Sequence, residues 1–174
     1  MKKGNIILIG FMGSGKTTFG RWLEKHHGMR LVDTDEYIVK KEQRTINVIF
    51  ATEGEEYFRG LETEALRELA DRNEKNMVIS AGGGLPLRDI NGIILHELGT
   101  VVYLRAKTET LEKRLAHDKT RPLLAGSNLH DRIEELMRQR SGIYEQRADL
   151  IIDTDDLTFE KMYERIKEYE NSCN

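Results

Sequence analysis

Five short apolar runs, at residues 5–9, 29–32, 77–81, 101–104 and 150–152, recur along the chain with longer amphipathic stretches between them. Runs of this length without polar alternation are the signature of strands buried on both faces. The intervening stretches carry apolar residues at helical spacing. Residues 17–27 read as a helix stopped by Gly28, 36–41 and 46–53 as short helices, and 55–73 as a long one. Leu61, Ala65, Leu66, Leu69 and Ala70 form the apolar stripe of that long helix. Residues 86–98 are predicted helical with Gly99 as the stop. Residues 108–117 are predicted to start from a Thr108 cap, 129–148 form a second long helix, and 158–169 a terminal amphipathic one. Strands alternating with helices predict an α/β fold, a five-stranded parallel sheet with helices on both faces, organised as a single domain over residues 1–174.

One segment breaks the pattern. Residues 117–128 are polar, contain two breakers, Pro122 and Gly126, and have little to bury, so they read as a loop. Trp22 and Leu23 read as packing residues, and His26 and His27, with no partner at metal spacing, as a solvated helix end.

Composition narrows the classes. A chain of 174 residues, 39% hydrophobic and 33% charged, suits one globular domain with a charged surface. The net charge of −3 supplies no global attraction for nucleic acid or an acidic membrane. The single cysteine, Cys173, rules out an intrachain disulfide and a cysteine cluster for zinc. No run approaches membrane-spanning length and the first residues lead straight into a strand, so a cytoplasmic protein is expected.

The chemistry begins at Gly10-Phe11-Met12-Gly13-Ser14-Gly15-Lys16-Thr17, followed by Thr18. This is the G-x-x-x-x-G-K-[ST] phosphate loop, set between a strand and a helix as the motif requires. Its glycines let backbone N–H groups converge on an anion, Lys16 adds charge at the outer phosphates, and the Thr17 hydroxyl can bind Mg²⁺. Asp33 and Asp35 follow the second strand, on the carboxyl rim where ligands of doubly wound sheets lie. An aspartate after a strand is also a common helix cap. The guanine-reading Asn-Lys-x-Asp motif and the protein-kinase D-F-G and H-R-D motifs are absent. A phosphate loop with an acidic pair, the Gly82-Gly83-Gly84 triplet and placed arginines points to phosphoryl transfer to a small molecule.

Taken together, the motifs resemble those of the shikimate kinase family over nearly the whole chain. They are the phosphate loop, Asp33-Thr34-Asp35, Phe58-Arg59 with Glu62, Gly82-Gly83-Gly84, Arg121-Pro122-Leu123-Leu124, and Arg140 four residues before Tyr144. The resemblance implies a three-layer P-loop kinase fold with a mobile lid at about residues 115–128, and a monomer. It also implies ATP as co-substrate, Mg²⁺ as cofactor and the 3-hydroxyl of shikimate as acceptor. Gly13, Ser14, Gly15, Lys16, Thr17 and Thr18 would hold the phosphates, with Thr17 and Asp33 serving the metal. Asp35 would face the acceptor hydroxyl, Lys16 and Arg121 would stabilise the transferring group, and Arg114 would stack on adenine. Arg59, Arg140 and the backbone of Gly82, Gly83 and Gly84 would hold the acceptor. A planar guanidinium suits the single carboxylate of shikimate.

The chain departs from the family after the final strand. It reads Asp153-Thr154-Asp155-Asp156-Leu157-Thr158 where an Arg or Pro is common, so adenine is expected to be held more loosely there, or by backbone. Two rivals stand beside the family reading: another small-molecule kinase, acting on gluconate or a nucleoside monophosphate, and a nucleotide-binding switch with no acceptor.

Overall fold

The structure, a computed structural model, describes residues 4–116 and 128–173. Five strands, β1 (Ile6–Ile9), β2 (Arg30–Asp33), β3 (Met77–Ser80), β4 (Thr100–Arg105) and β5 (Leu150–Asp153), form one sheet in the order β2-β3-β1-β4-β5. Every pairing is parallel. The three central strands are buried almost throughout and the two edge strands are partly exposed, as their continuous and mixed patterns require.

The helices are α1 (Lys16–His27), α2 (Thr34–Glu42), α3 (Ile46–Glu53), α4 (Glu55–Asp71), α5 (Asp89–Leu98), α6 (Thr108–Leu115), α7 (Leu129–Arg147) and α8 (Phe159–Ser172). Alternate residues of β1 go to opposite faces. Ile6 and Leu8 pack with Phe19 and Leu23 of α1 and with Met162 and Ile166 of α8. Ile7 and Ile9 pack with Leu66 and Leu69 of α4, Leu95 of α5, Leu111 of α6 and Ile133 of α7. Both faces are therefore closed. Truncating one of these fully buried aliphatic side chains to alanine costs about 2–5 kcal/mol. A third cluster, Ile38, Ile49, Phe58, Leu61 and Ala65, joins α2, α3 and α4 beside the sheet.

Two predicted elements are corrected. Residues 86–98 do not form one helix: a short 3₁₀ turn at Leu85–Leu87 is followed by Arg88 in an extended conformation, and α5 starts at Asp89. The buried Asn91 amide donates to the Leu85 carbonyl at 2.8 Å and holds that turn against α5. Thr108 does not cap α6. Lys107 occupies the cap position without a side-chain bond of its own, and Asp155 supplies the acceptor from beyond β5. Its carboxylate takes the Lys107 N–H at 3.1 Å and the Thr110 hydroxyl.

His26 and His27 are exposed, as expected of a helix end, but their rings are not bare. His26 stacks on Trp22 and His27 on Tyr163. None of the described helices is long and apolar enough to cross a membrane. Of the expected lid at residues 115–128, residues 117–127, Arg121 among them, lie outside the described residues.

Candidate active site

The sheet order places β1 between β3 and β4, so the chain leaves β1 for one side of the sheet and later returns to the other. The crevice at the carboxyl ends of these strands is where such a sheet binds ligands. The phosphate loop leaves β1 there, and it approaches the neighbouring strand closely: a Cβ on Gly10 would lie 2.6 Å from the backbone oxygen of Leu104. Gly15, with φ 96°, caps α1 in a conformation that disfavours other residues. Lys16 is nearly buried, and its ammonium donates to the Gly10 and Phe11 carbonyls at 2.9 Å each. The Ser14 hydroxyl is buried with no hydrogen-bond partner among the described residues. Such an orphaned polar atom suits a site awaiting an anion.

Beside the loop, three oxygens converge. The Thr17 hydroxyl donates to Asp33 Oδ2 at 2.6 Å and lies 2.9 Å from the Ser80 hydroxyl. Asp33 and Ser80 end neighbouring strands and are register partners, so the sheet itself sets them side by side. Asp33 also does the work of a helix cap, since its Oδ1 accepts the N–H groups of Asp35 and Glu36. The cap role weighed from the sequence is thus observed, and Oδ2 remains turned to the Thr17 hydroxyl. No group of three His, Cys, Asp or Glu side chains is gathered at metal-binding distance among the described residues. A hard cation here would draw its ligands from this hydroxyl and carboxylate set together with phosphate oxygens, which is how Mg²⁺ is commonly held.

A cavity of about 640 Å³ runs along this rim. Residues 12–18 of the phosphate loop, Asp33, Asp35, Ser80, Gly82, Gly83 and Arg114 line it, and so do Thr154, Asp155 and Leu157 beyond β5. Arg114 donates to the Gly13 carbonyl at 2.9 Å, which ties α6 to the loop. The opposite wall is the segment that departs from the family pattern. Asp155, through the cap described above, fastens that wall to the start of α6, and the Thr154 N–H donates to the Arg105 carbonyl at 2.9 Å.

Arg59, Glu62 and Arg140 do not line this cavity. They form a buried layer behind the glycine triplet. Arg59 pairs with Glu62 at 2.8 Å and with Glu55 at 2.9 Å, while one nitrogen of the Arg140 guanidinium, Nη1, has no hydrogen-bond partner among the described residues. The glycines bring the two layers together. A Cβ on Gly82 would sit 2.7 Å from Asp35 Oδ1 and 3.0 Å from Glu62 Oε1, so these carboxylates meet at one point of the backbone. A Cβ on Gly84 would overlap the Arg59 guanidinium. The Gly82 N–H donates to Thr34 Oγ1 at 2.9 Å, which locks the triplet to the start of α2 and hence to Asp35. Burial pushes the Glu62 carboxyl up to about 7; the Arg59 and Arg140 charges oppose that rise and Asp35 adds to it.

Ser80, Thr34 and Asp155 were not singled out from the sequence. The signal for Ser80 is its place at the carboxyl end of a strand next to the glycine triplet, while Thr34 and Asp155 stand inside the acidic motif and the segment after the final strand without a role of their own.

Known proteins resemble this chain over most of its length. The shikimate kinase family model matches residues 12–170. A shikimate kinase of Thermodesulfovibrio yellowstonii is 43% identical over 171 residues, covering 98% of this chain and 97% of that protein. One from Nitrosospira multiformis is 43% identical over 151 residues, covering 87% of this chain and 76% of that protein. Among solved structures, shikimate kinase from Acinetobacter baumannii in complex with shikimate superposes with a TM-score of 0.90 at 36% identity, covering 98% and 94% of the two chains. A deoxyadenosine kinase from M. mycoides, at 18% identity and a TM-score of 0.58 over 96% of this chain and 99% of that one, shares the fold alone. The chain belongs to the shikimate kinase family.

Proposed function

We propose that this protein transfers the γ-phosphoryl group of ATP to the 3-hydroxyl of shikimate, giving shikimate 3-phosphate and ADP. The observation that carries the proposal is the meeting of Asp35 and Glu62 at Gly82, with the phosphate loop on one side and two buried arginines on the other. A carboxylate beside a phosphate loop can orient a hydroxyl nucleophile, and a pair of guanidinium groups can hold the carboxylate of the same acceptor.

The ATP phosphates are bound by the backbone of Gly13, Ser14 and Gly15 and by Lys16, Thr17 and Thr18, at the N-terminus of α1. Lys16 must leave the Gly10 and Phe11 carbonyls to reach the outer phosphates. Its present bonds to these two carbonyls hold the ammonium over the loop. Thr17 would bind Mg²⁺ directly and Asp33 through a water, and the Ser80 hydroxyl supports both. When bound, the cation offsets charge on the β- and γ-phosphates. Arg114 and the Thr154–Leu157 wall bracket the part of the cavity beyond the phosphates, and we assign adenine to it.

Asp35 accepts a hydrogen bond from the acceptor hydroxyl and aims its oxygen at the γ-phosphorus, opposite the bond to the departing ADP oxygen. Arg59 and Arg140 grip the acceptor carboxylate, with Gly82, Gly83 and Gly84 giving close backbone access. Arg121, outside the described residues, is assigned to the transferring phosphoryl group. Such a site works by positioning and charge stabilisation more than by covalent chemistry.

ADP release from Mg-ATP, followed in a coupled assay with shikimate, gluconate or nucleoside monophosphates, tests the proposal. Release that depends on shikimate alone is expected. Release driven by a different acceptor, or equal release with none, would overturn it.

A further inference from the structure

Arg140 and Tyr144 lie one turn apart on α7, and both are buried, with 4% and 0% of their surface exposed. A phenol this deep needs a partner for its hydroxyl, and this one has it in a backbone carbonyl. The hydroxyl donates to the Gly83 carbonyl at 2.5 Å, and the positive charge of Arg140, one turn earlier on the same helix, acts on it. A hydroxyl can donate and accept at once, so Tyr144 can bridge a backbone carbonyl and a cation. Arg140 Nη1 is left without a partner among the described residues.

We propose that Tyr144 is a positioning residue for the acceptor: its hydroxyl ties the Gly83 carbonyl to the Arg140 guanidinium and fixes the backbone and the cation that receive the acceptor carboxylate. The proposal rests on the acceptor site described above. Two adjacent glycines have many accessible conformations, and a fixed partner on Gly83 removes most of them. The Gly83–Gly84 peptide is trans, so its N–H points opposite to its C=O. Anchoring the Gly83 oxygen therefore also sets the direction of the Gly84 N–H. The ring is itself held by packing on Tyr103, with centroids 5.2 Å apart. Burial pushes the Tyr144 hydroxyl up to about 12 against the pull of Arg140, so it remains a donor across the neutral range.

The competing account makes Tyr144 a space-filling member of the core beneath α7. Tyr144→Phe separates the two, because it keeps the ring and removes only the hydroxyl. Loss of a hydrogen bond to a charged partner predicts a KM for shikimate raised about ten-fold, with kcat at saturation and the Kd for ADP changed less than about two-fold. In an Arg140→Ala background the same substitution should raise KM by less than about three-fold, because its target is gone. An unchanged KM in Tyr144→Phe, whether or not urea unfolding shows a stability loss, would assign the residue to packing and overturn the proposal. So would a full ten-fold effect persisting without Arg140. Absence of any shikimate-dependent ADP release by the unaltered protein would overturn the acceptor reading and this inference together, whereas a silent Tyr144→Phe in an active enzyme removes this inference alone.

Discussion

Glu62 has an unusual place for a carboxylate, with 1% of its surface exposed and both Arg59 and Asp35 close to it. Burial pushes it up to about 7 from an ordinary value near 4.5, since Arg59 and Arg140 only partly offset the lost hydration. Between those two values the folded chain keeps a proton that the unfolded chain releases. Stability therefore falls as the pH rises through this window. A carboxyl with these two titration points costs the folded state about 2–3 kcal/mol between pH 5 and pH 8. Glu62→Gln keeps the shape and an oxygen for Arg59 but cannot titrate. Urea unfolding of both proteins at pH 5 and pH 8 isolates the effect, because all other titrating groups are shared. The variant should gain on the parent by about 2–3 kcal/mol on going from pH 5 to pH 8. A stability difference that does not change with pH would refute the reasoning, and a change of opposite sign would mean that the Arg59 ion pair dominates over burial.

Three further substitutions test the division of labour. Arg140→Ala should weaken shikimate binding about 100-fold in calorimetry and leave ADP affinity within about two-fold, because only the acceptor carboxylate loses a partner; equal losses for both ligands would contradict its placement. Asp35→Asn should lower kcat by about 100-fold or more with little change in Tm, and normal turnover with a depressed Tm would remove it from the mechanism. Asp33→Asn retains an oxygen to cap α2, so stability should change by less than about 0.5 kcal/mol, while the Mg²⁺ concentration for half-maximal rate rises several-fold. An unchanged Mg²⁺ requirement would leave Asp33 as a cap alone.

Much of this was legible in the sequence because it is local. The phosphate loop is contiguous, the buried strands are continuous apolar runs, and the long amphipathic helix α4 carries its stripe within a few turns. Contacts that join distant segments were not. Asp155 caps a helix that begins 47 residues earlier, and no local pattern distinguishes it from its neighbours Asp153 and Asp156. The break at Arg88 depends on Asn91 reaching back to Leu85, and a helical period across residues 86–98 conceals it. Thr17 meets Ser80 only because β1, β3 and β2 stand side by side. The family pattern supplied Arg59 and Arg140, but not that they would lie in a buried layer behind the glycines, with Glu62 between burial and charge.

The most direct test of the central claim is the identity of the product. Incubation with Mg-ATP and shikimate, followed by proton–phosphorus correlation NMR, should show one new phosphate ester whose phosphorus couples to the proton on carbon 3 of shikimate. Inorganic phosphate with unmodified shikimate, or an ester at another hydroxyl, would contradict the account.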